Sequence, residues 1–251
     1  FSATGSVKSS RHVFQRFPYA ALFVLLFIKS KHIMQKACTI LLFCLSFSMS
    51  NAQTYKAKII TNYGNITVVL FDATPKHRDN FVKLVKEKFY DSLLFHRVIK
   101  GFVIQGGDPT SKTASDTALL GEGDLGYMIP AELDTAIFHK RGMLAQARDD
   151  NPQKASSACQ FYIVQGKIAD DSSFAKAKRR RGYEIPEHHK QVYRTIGGIP
   201  WLDMGYTIYG EVIKGMDVVD KIAAVKTDKN DRPLKPVRIW TIKLIEKKKK
   251  R

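Results

Sequence analysis

The segment Phe95–Asp108, FHRVIKGFVIQGGD, gathers the side chains with the most chemical promise. Strand alternation places Arg97 on one face together with Phe95 and Ile99. A guanidinium among apolar side chains is costly to bury unless its charge is used. Arg97 is therefore either half of a buried ion pair or a donor held ready for a ligand. Phe102 and Gln105 follow a turn later, and Gly106-Gly107 lets the main chain bend sharply. His96 looks like a proton carrier, but a strand neighbour faces the other way, and it reads as structural. The His188-His189 doublet has diverging side chains and no third ligand in view, so it reads as solvated. Cys159 reads as a small core residue.

Three further segments follow in order: Met143-Leu144-Ala145-Gln146-Ala147-Arg148, then Ser156–Ile163 (SSACQFYI), then Trp201-Leu202-Asp203 with Tyr206–Gly210. In order and spacing, together with FHRVIKGFVIQGGD, these resemble the cyclophilin family of peptidyl-prolyl cis-trans isomerases over roughly Tyr55–Ile245. The resemblance implies a closed eight-stranded antiparallel β-barrel capped by two α-helices, with the site on the outer face of the sheet. It puts the catalytic arginine on Arg97, the proline-pocket aromatics on Phe102 and Phe161, and the pocket leucine on Leu202. Gln105 falls on the substrate-binding glutamine, Gln146, Ala147 and Arg148 on the peptide-contacting segment, and Trp201 on the rim tryptophan.

This sequence departs from the family in places that bear on peptide preference. Val103 stands where a methionine is frequent, Gln146-Ala147-Arg148 replaces Met-Ala-Asn, and Tyr206 replaces a histidine common in eukaryotic members. The Ser111–Asp124 loop lacks the usual glycine-rich composition. The implied reaction needs no nucleophile, metal or cofactor; Arg97 donates to the prolyl nitrogen of a twisted amide. Proline-containing polypeptides are the expected substrates, a cyclosporin-type inhibitor is a further expected ligand through Trp201, and the chain is expected to be monomeric. The second reading is a non-catalytic peptide-binding or chaperone module on the same fold.

These residues need a scaffold. Tyr55–Ile59 and Ile66–Phe71 flank a turn at Asn62–Asn65 and read as a hairpin. Thr74-Pro75 starts a helix that runs to about Lys88, with Thr74 as the cap. Strands are expected at Leu94–Val98, Val103–Gln105, Gly142–Ala147, Gln160–Val164, Thr207–Val212 and Val237–Ile245, with a second helix over Lys214–Ala223. Many short strands argue for a barrel or sandwich. Gly166–Pro200 breaks that rhythm as a helical insertion rich in Lys and Arg, ended by Gly197-Gly198.

The formal net charge of +18 over 251 residues raises the question of nucleic acid. Much of it is terminal: residues 1–52 hold six basic residues and no acid, and Lys243–Arg251 hold six against Glu246. Lys178–Arg181 and the basic tail 247–251 lack interleaved aromatics, so they read as solvated and no nucleic-acid partner is expected. Met34 opens an export signal: Lys36, the apolar Ala37–Met49, then Ser50-Asn51-Ala52 before cleavage at Gln53. Phe43 before Cys44 argues against a lipoprotein, and membrane attachment is expected only if the signal stays uncleaved. Residues 1–33 read as an upstream extension, 34–52 as the signal, 53–246 as the isomerase-like domain with its insertion at 166–200. The expected location is periplasmic or secreted. Cleavage leaves Cys159 alone, so no internal disulfide can form.

Overall fold

The computed structural model describes residues 55–245. The expected upstream extension, signal and basic tail lie outside them. Alternating burial along KAKIIT and GNITVVL makes β1 (Lys56–Thr61) and β2 (Gly64–Leu70) a hairpin with one face in the core. Helix α1 (Pro75–Lys86) buries His77, Phe81, Val82, Leu84 and Val85 on a single stripe. β3 (Arg97–Val98) and β4 (Val103–Gly106) follow, then a 3-10 turn at Pro109–Lys112 and the short β5 (Met128–Ile129). Next come β6 (Met143–Gln146), β7 (Ser156–Ser157) and β8 (Phe161–Val164). Two helices occupy the insertion, α2 (Asp171–Arg181) and α3 (Glu187–Thr195). A 3-10 turn at Pro200–Leu202, β9 (Ile208–Lys214), α4 (Met216–Ala223) and β10 (Ile239–Ile245) complete the order.

Eight strands form one antiparallel sheet in the order β10-β1-β2-β9-β6-β8-β4-β3, while β5 and β7 pair separately. All eight expected strands are present, but the expected continuous closed ladder is not seen. The edge strands β10 and β3 do not pair as strands; the chain leading into them is joined by a single bridge, Leu94 with Arg238, and by flanking main-chain bonds such as Phe95 N to Val237 O at 2.8 Å. The sheet curls around a core of Ile59, Ile66, Val68, Phe81, Tyr90, Phe95, Phe161 and Tyr209. A second apolar cluster, with Val103, Met143, Ala145, Tyr162, Ile199 and Leu202, lies on the other face. The insertion has its own small core of Phe174, Ala177, Ile185 and Tyr193.

Three local expectations are corrected. Thr74 caps α1 without a side-chain bond; instead the Glu132 carboxylate, from a distant loop, accepts from the main-chain N–H groups of Lys76 and His77 at 3.0 Å. β3 covers only Arg97–Val98, so alternation does not extend back to Phe95, which turns into the core while Arg97 faces out. His189 is not solvated: the turn of α3 buries it against Phe138, ring centroids 3.8 Å apart.

Candidate active site

Strand register builds the site. Arg97 on β3 lies opposite Gln105 on β4, Gln105 opposite Tyr162 on β8, and Tyr162 opposite Ala145 on β6. Directly opposed residues share a face, so these four form one row on the outer side of the sheet. The adjacent row, Gly106, Phe161 and Gln146, faces inward. Phe161 is accordingly fully buried, edge-on to Phe81, Tyr90 and Phe95. The pocket aromatic expected at Phe161 is therefore corrected to Tyr162. Gln146 is likewise turned away from the surface, its amide donating to Ser157 O at 2.9 Å. The sequence carried no signal for this choice, which rests on the register of β8 against β4.

A cleft of about 340 Å³ opens on the outer row. Arg97, Phe102, Val103, Gln105, Ala147, Arg148, Tyr162, Leu202 and Tyr206, all but Tyr162 expected from the sequence, line it. The Thr117–Glu122 stretch of the loop forms the remaining wall with Asp228, Asn230 and Arg232. Arg232 holds that wall, its guanidinium donating to Ser115 O at 2.7 Å and to Ala118 O. Trp201 does not line the cleft. It stacks outside Phe102, rings 6.4 Å apart and 7° from parallel, with the Lys176 ammonium 3.9 Å from the Trp201 ring centroid.

Arg97 keeps 40% of its side chain exposed, so its charge is available to a ligand. It is aimed by two partners, Gln105 Oε1 at 3.3 Å from Nη1 and Asp231 Oδ2 at 3.5 Å from Nε. Gln105 in turn donates to Gln160 Oε1 at 3.1 Å, and Gln160 donates to Gly121 O and Gly123 O. Gln160 was not singled out by the sequence; it ties the glutamine at the site to the loop. Arg148 carries no free charge at the groove edge: its side chain is 4% exposed, lies over the Tyr206 ring and donates to Gly205 O at 2.8 Å.

His96 is buried beside Arg97, as a structural residue should be, and also touches the cleft. Burial, with help from the charges of Arg97 and Arg232 against an opposing pull from Asp108, lowers its pKa to about 4. The ring is thus neutral at pH 7 and supplies no acid. Burial pushes the Cys159 thiol up to about 12, which leaves it unreactive. The outer face therefore offers one oriented donor, a glutamine and an apolar wall of Phe102, Val103, Tyr162 and Leu202, a set suited to hydrogen bonding and gripping.

The sequence profile of the cyclophilin type peptidyl-prolyl cis-trans isomerase/CLD family matches residues 56–244. The chain belongs to this family. A relative from Staphylococcus saprophyticus named "Putative peptidyl-prolyl cis-trans isomerase" is 34% identical over 197 residues, covering 78% of this chain and 94% of the relative. A "Peptidyl-prolyl cis-trans isomerase-like 2" of Rhizopus delemar is 35% identical over 190 residues, but the match spans only 28% of that longer protein. Among solved structures, a cyclophilin type isomerase of Cryptosporidium parvum superposes with a TM-score of 0.58 at 26% identity, over 77% of this chain and 99% of that one. A second structure, of that protein in the presence of the dipeptide Ala-Pro, gives 0.57.

Proposed function

We propose that the outer-face cleft isomerises X–Pro bonds by holding the twisted amide, with Arg97 as the donor to the prolyl nitrogen. The observation that carries this reading is the row Arg97–Gln105–Tyr162, which sets a half-exposed guanidinium at the head of an apolar pocket. Rotation about an X–Pro bond is slow because it breaks amide resonance, a barrier of about 18–20 kcal/mol. In the twisted state the nitrogen becomes pyramidal and gains a lone pair. A donor aimed there has little to bind in either planar state, so its effect falls on the transition state. Phe102, Val103, Tyr162 and Leu202 hold the ring, while Gln105 and the main chain at Ala147–Arg148 hold the flanking peptide.

The clients in this reading are exported polypeptides, because Met34–Ala52 has the pattern of an export signal. Slow proline steps limit the folding of many chains, and an isomerase outside the cytoplasm relieves them there. Trp201 and its capping Lys176 would border a cyclosporin-type ligand, and inhibition of turnover by cyclosporin measures that directly; full activity at saturating inhibitor removes the expectation.

The deciding experiment is a coupled isomerisation assay on a short Ala-Pro peptide, with Arg97→Ala alongside wild type and circular dichroism on both. The expected loss is about a hundredfold or more, the range for removing one transition-state donor. A folded Arg97→Ala variant of full activity would overturn the assignment.

A further inference from the structure

The insertion reaches the cleft through a line of buried polar groups. Tyr162 presents its ring to the cleft and its hydroxyl to His139 Nε2, 2.9 Å away. His139 is fully buried; its Nδ1 is 2.9 Å from Asp203 Oδ1, and its main-chain N–H donates to the same oxygen at 2.8 Å. Asp203 is buried too, and the Tyr193 hydroxyl of α3 lies 2.8 Å from both of its oxygens. Asp203 directly follows Leu202, the opposite wall of the cleft.

The directions of the bonds follow from the groups themselves. A carboxylate only accepts, so Tyr193 O–H and His139 Nδ1–H both donate to Asp203. With Nδ1 turned to Asp203, Nε2 is the ring atom left to accept from Tyr162 O–H. Burial raises both phenols well above their ordinary pKa, so each keeps its proton at neutral pH. Close packing seals the line: Gly198, at φ +151°, sits where any side chain would strike the His139 carbonyl and the Tyr193 ring. Phenylalanine at 162 and 193 would fill nearly the same space without burying a hydroxyl. Satisfied buried networks of this kind fix orientation that apolar packing leaves loose.

We propose that Tyr193 and His139 are positioning residues, through which the insertion sets the ring of Tyr162 and the place of Leu202 and so shapes the proline pocket. The proposal rests on the isomerase reading of the cleft. It gives 166–200 a role beyond covering surface: α3 belongs to the support of the substrate pocket.

The test uses the full chain with Tyr193→Phe, Tyr162→Phe and the double variant. Three quantities are read on one proline peptide: steady-state KM and kcat, and the equilibrium Kd from an NMR titration. Each single variant should raise KM and Kd about three- to tenfold with kcat within about twofold, and the double should be no worse than the weaker single. A Tyr193→Phe that lowers the melting temperature but leaves Kd unchanged overturns the proposal, as do single effects that multiply in the double. Should Tyr193→Phe fail to fold, His139→Asn keeps a donor for Asp203 and removes the acceptor for Tyr162, and the same rise in Kd is required. If wild type binds the peptide without turning it over, the isomerase reading falls while Kd still decides the coupling. If it does neither, both fall.

Discussion

Phe161 and Tyr162 are neighbours with separate duties because β8 turns successive side chains to opposite faces. Phe161 belongs to the aromatic core with Phe81, Tyr90 and Phe95, and Tyr162 to the cleft. Phe161→Ala should therefore cost about 3–5 kcal/mol in urea unfolding, the range for a buried phenylalanine truncated in a core. Its turnover per folded molecule should stay near wild type. An equally stable variant with a lost substrate site would return Phe161 to the pocket. The motif that contains both residues is plain in the sequence, but which aromatic faces the ligand depends on register with β4. Arg97, Phe102, Val103, Gln105 and Leu202 were legible because the motifs that contain them resemble the cyclophilin family's, in order and near-family spacing.

At the scale of elements, α1 shows how a helix start is completed from afar. Glu132 accepts from two main-chain N–H groups of its first turn and also meets His77 Nδ1 at 2.7 Å, while His77 Nε2 lies 3.0 Å from Ser156 Oγ. Serine, imidazole and carboxylate in that order have the look of a hydrolytic triad, but Ser156 is fully buried and is not among the residues lining the outer-face cleft. The group is a staple between α1, the Glu132 loop and β7. Glu132→Ala should lower stability by roughly 1–3 kcal/mol, since it leaves the buried His77 without its partner. Amide exchange should rise first at Lys76 and His77, and unchanged exchange there would discount the staple. Pro75 announced the helix in the sequence; its true cap, 57 positions beyond Pro75 at Glu132, had no local sign.

Over the whole molecule, buried histidines tie stability to acid. The folded pKa of His96 is about 4 against an ordinary 6.5, chiefly through burial. Below pH 6.5 the unfolded chain takes up the proton and the folded chain does not. Stability present above pH 6.5 is therefore lost as pH falls, and the loss from this group is complete once pH passes about 4. The difference is worth roughly 3 kcal/mol. Burial lowers the His77 pKa as well, which adds to the loss with the same sign. Neither ring nitrogen of His96 has a hydrogen-bond partner among the described residues, so His96→Leu should fold and flatten the decline. Urea midpoints from pH 7 to 4 measure this; an unchanged slope in His96→Leu would remove His96 as its source.

The sequence by itself determined the eight strands, the two capping helices, the polar insertion and most of the residues around the cleft. The strands, helices and insertion follow from period, turn chemistry and short-range spacing, which act within a dozen residues. The cleft residues and the capping role of the helices came from the resemblance of the motifs to the cyclophilin family. The tertiary structure decided the rest. Strand register chose Tyr162 over Phe161 and sent Gln146 inward. The Tyr193 hydroxyl of α3, meeting Asp203 just after the Pro200–Leu202 turn, joined Tyr193, Asp203, His139 and Tyr162 into one line. Such contacts depend on which face meets which across long chain separations, and no local pattern in the sequence carries that choice.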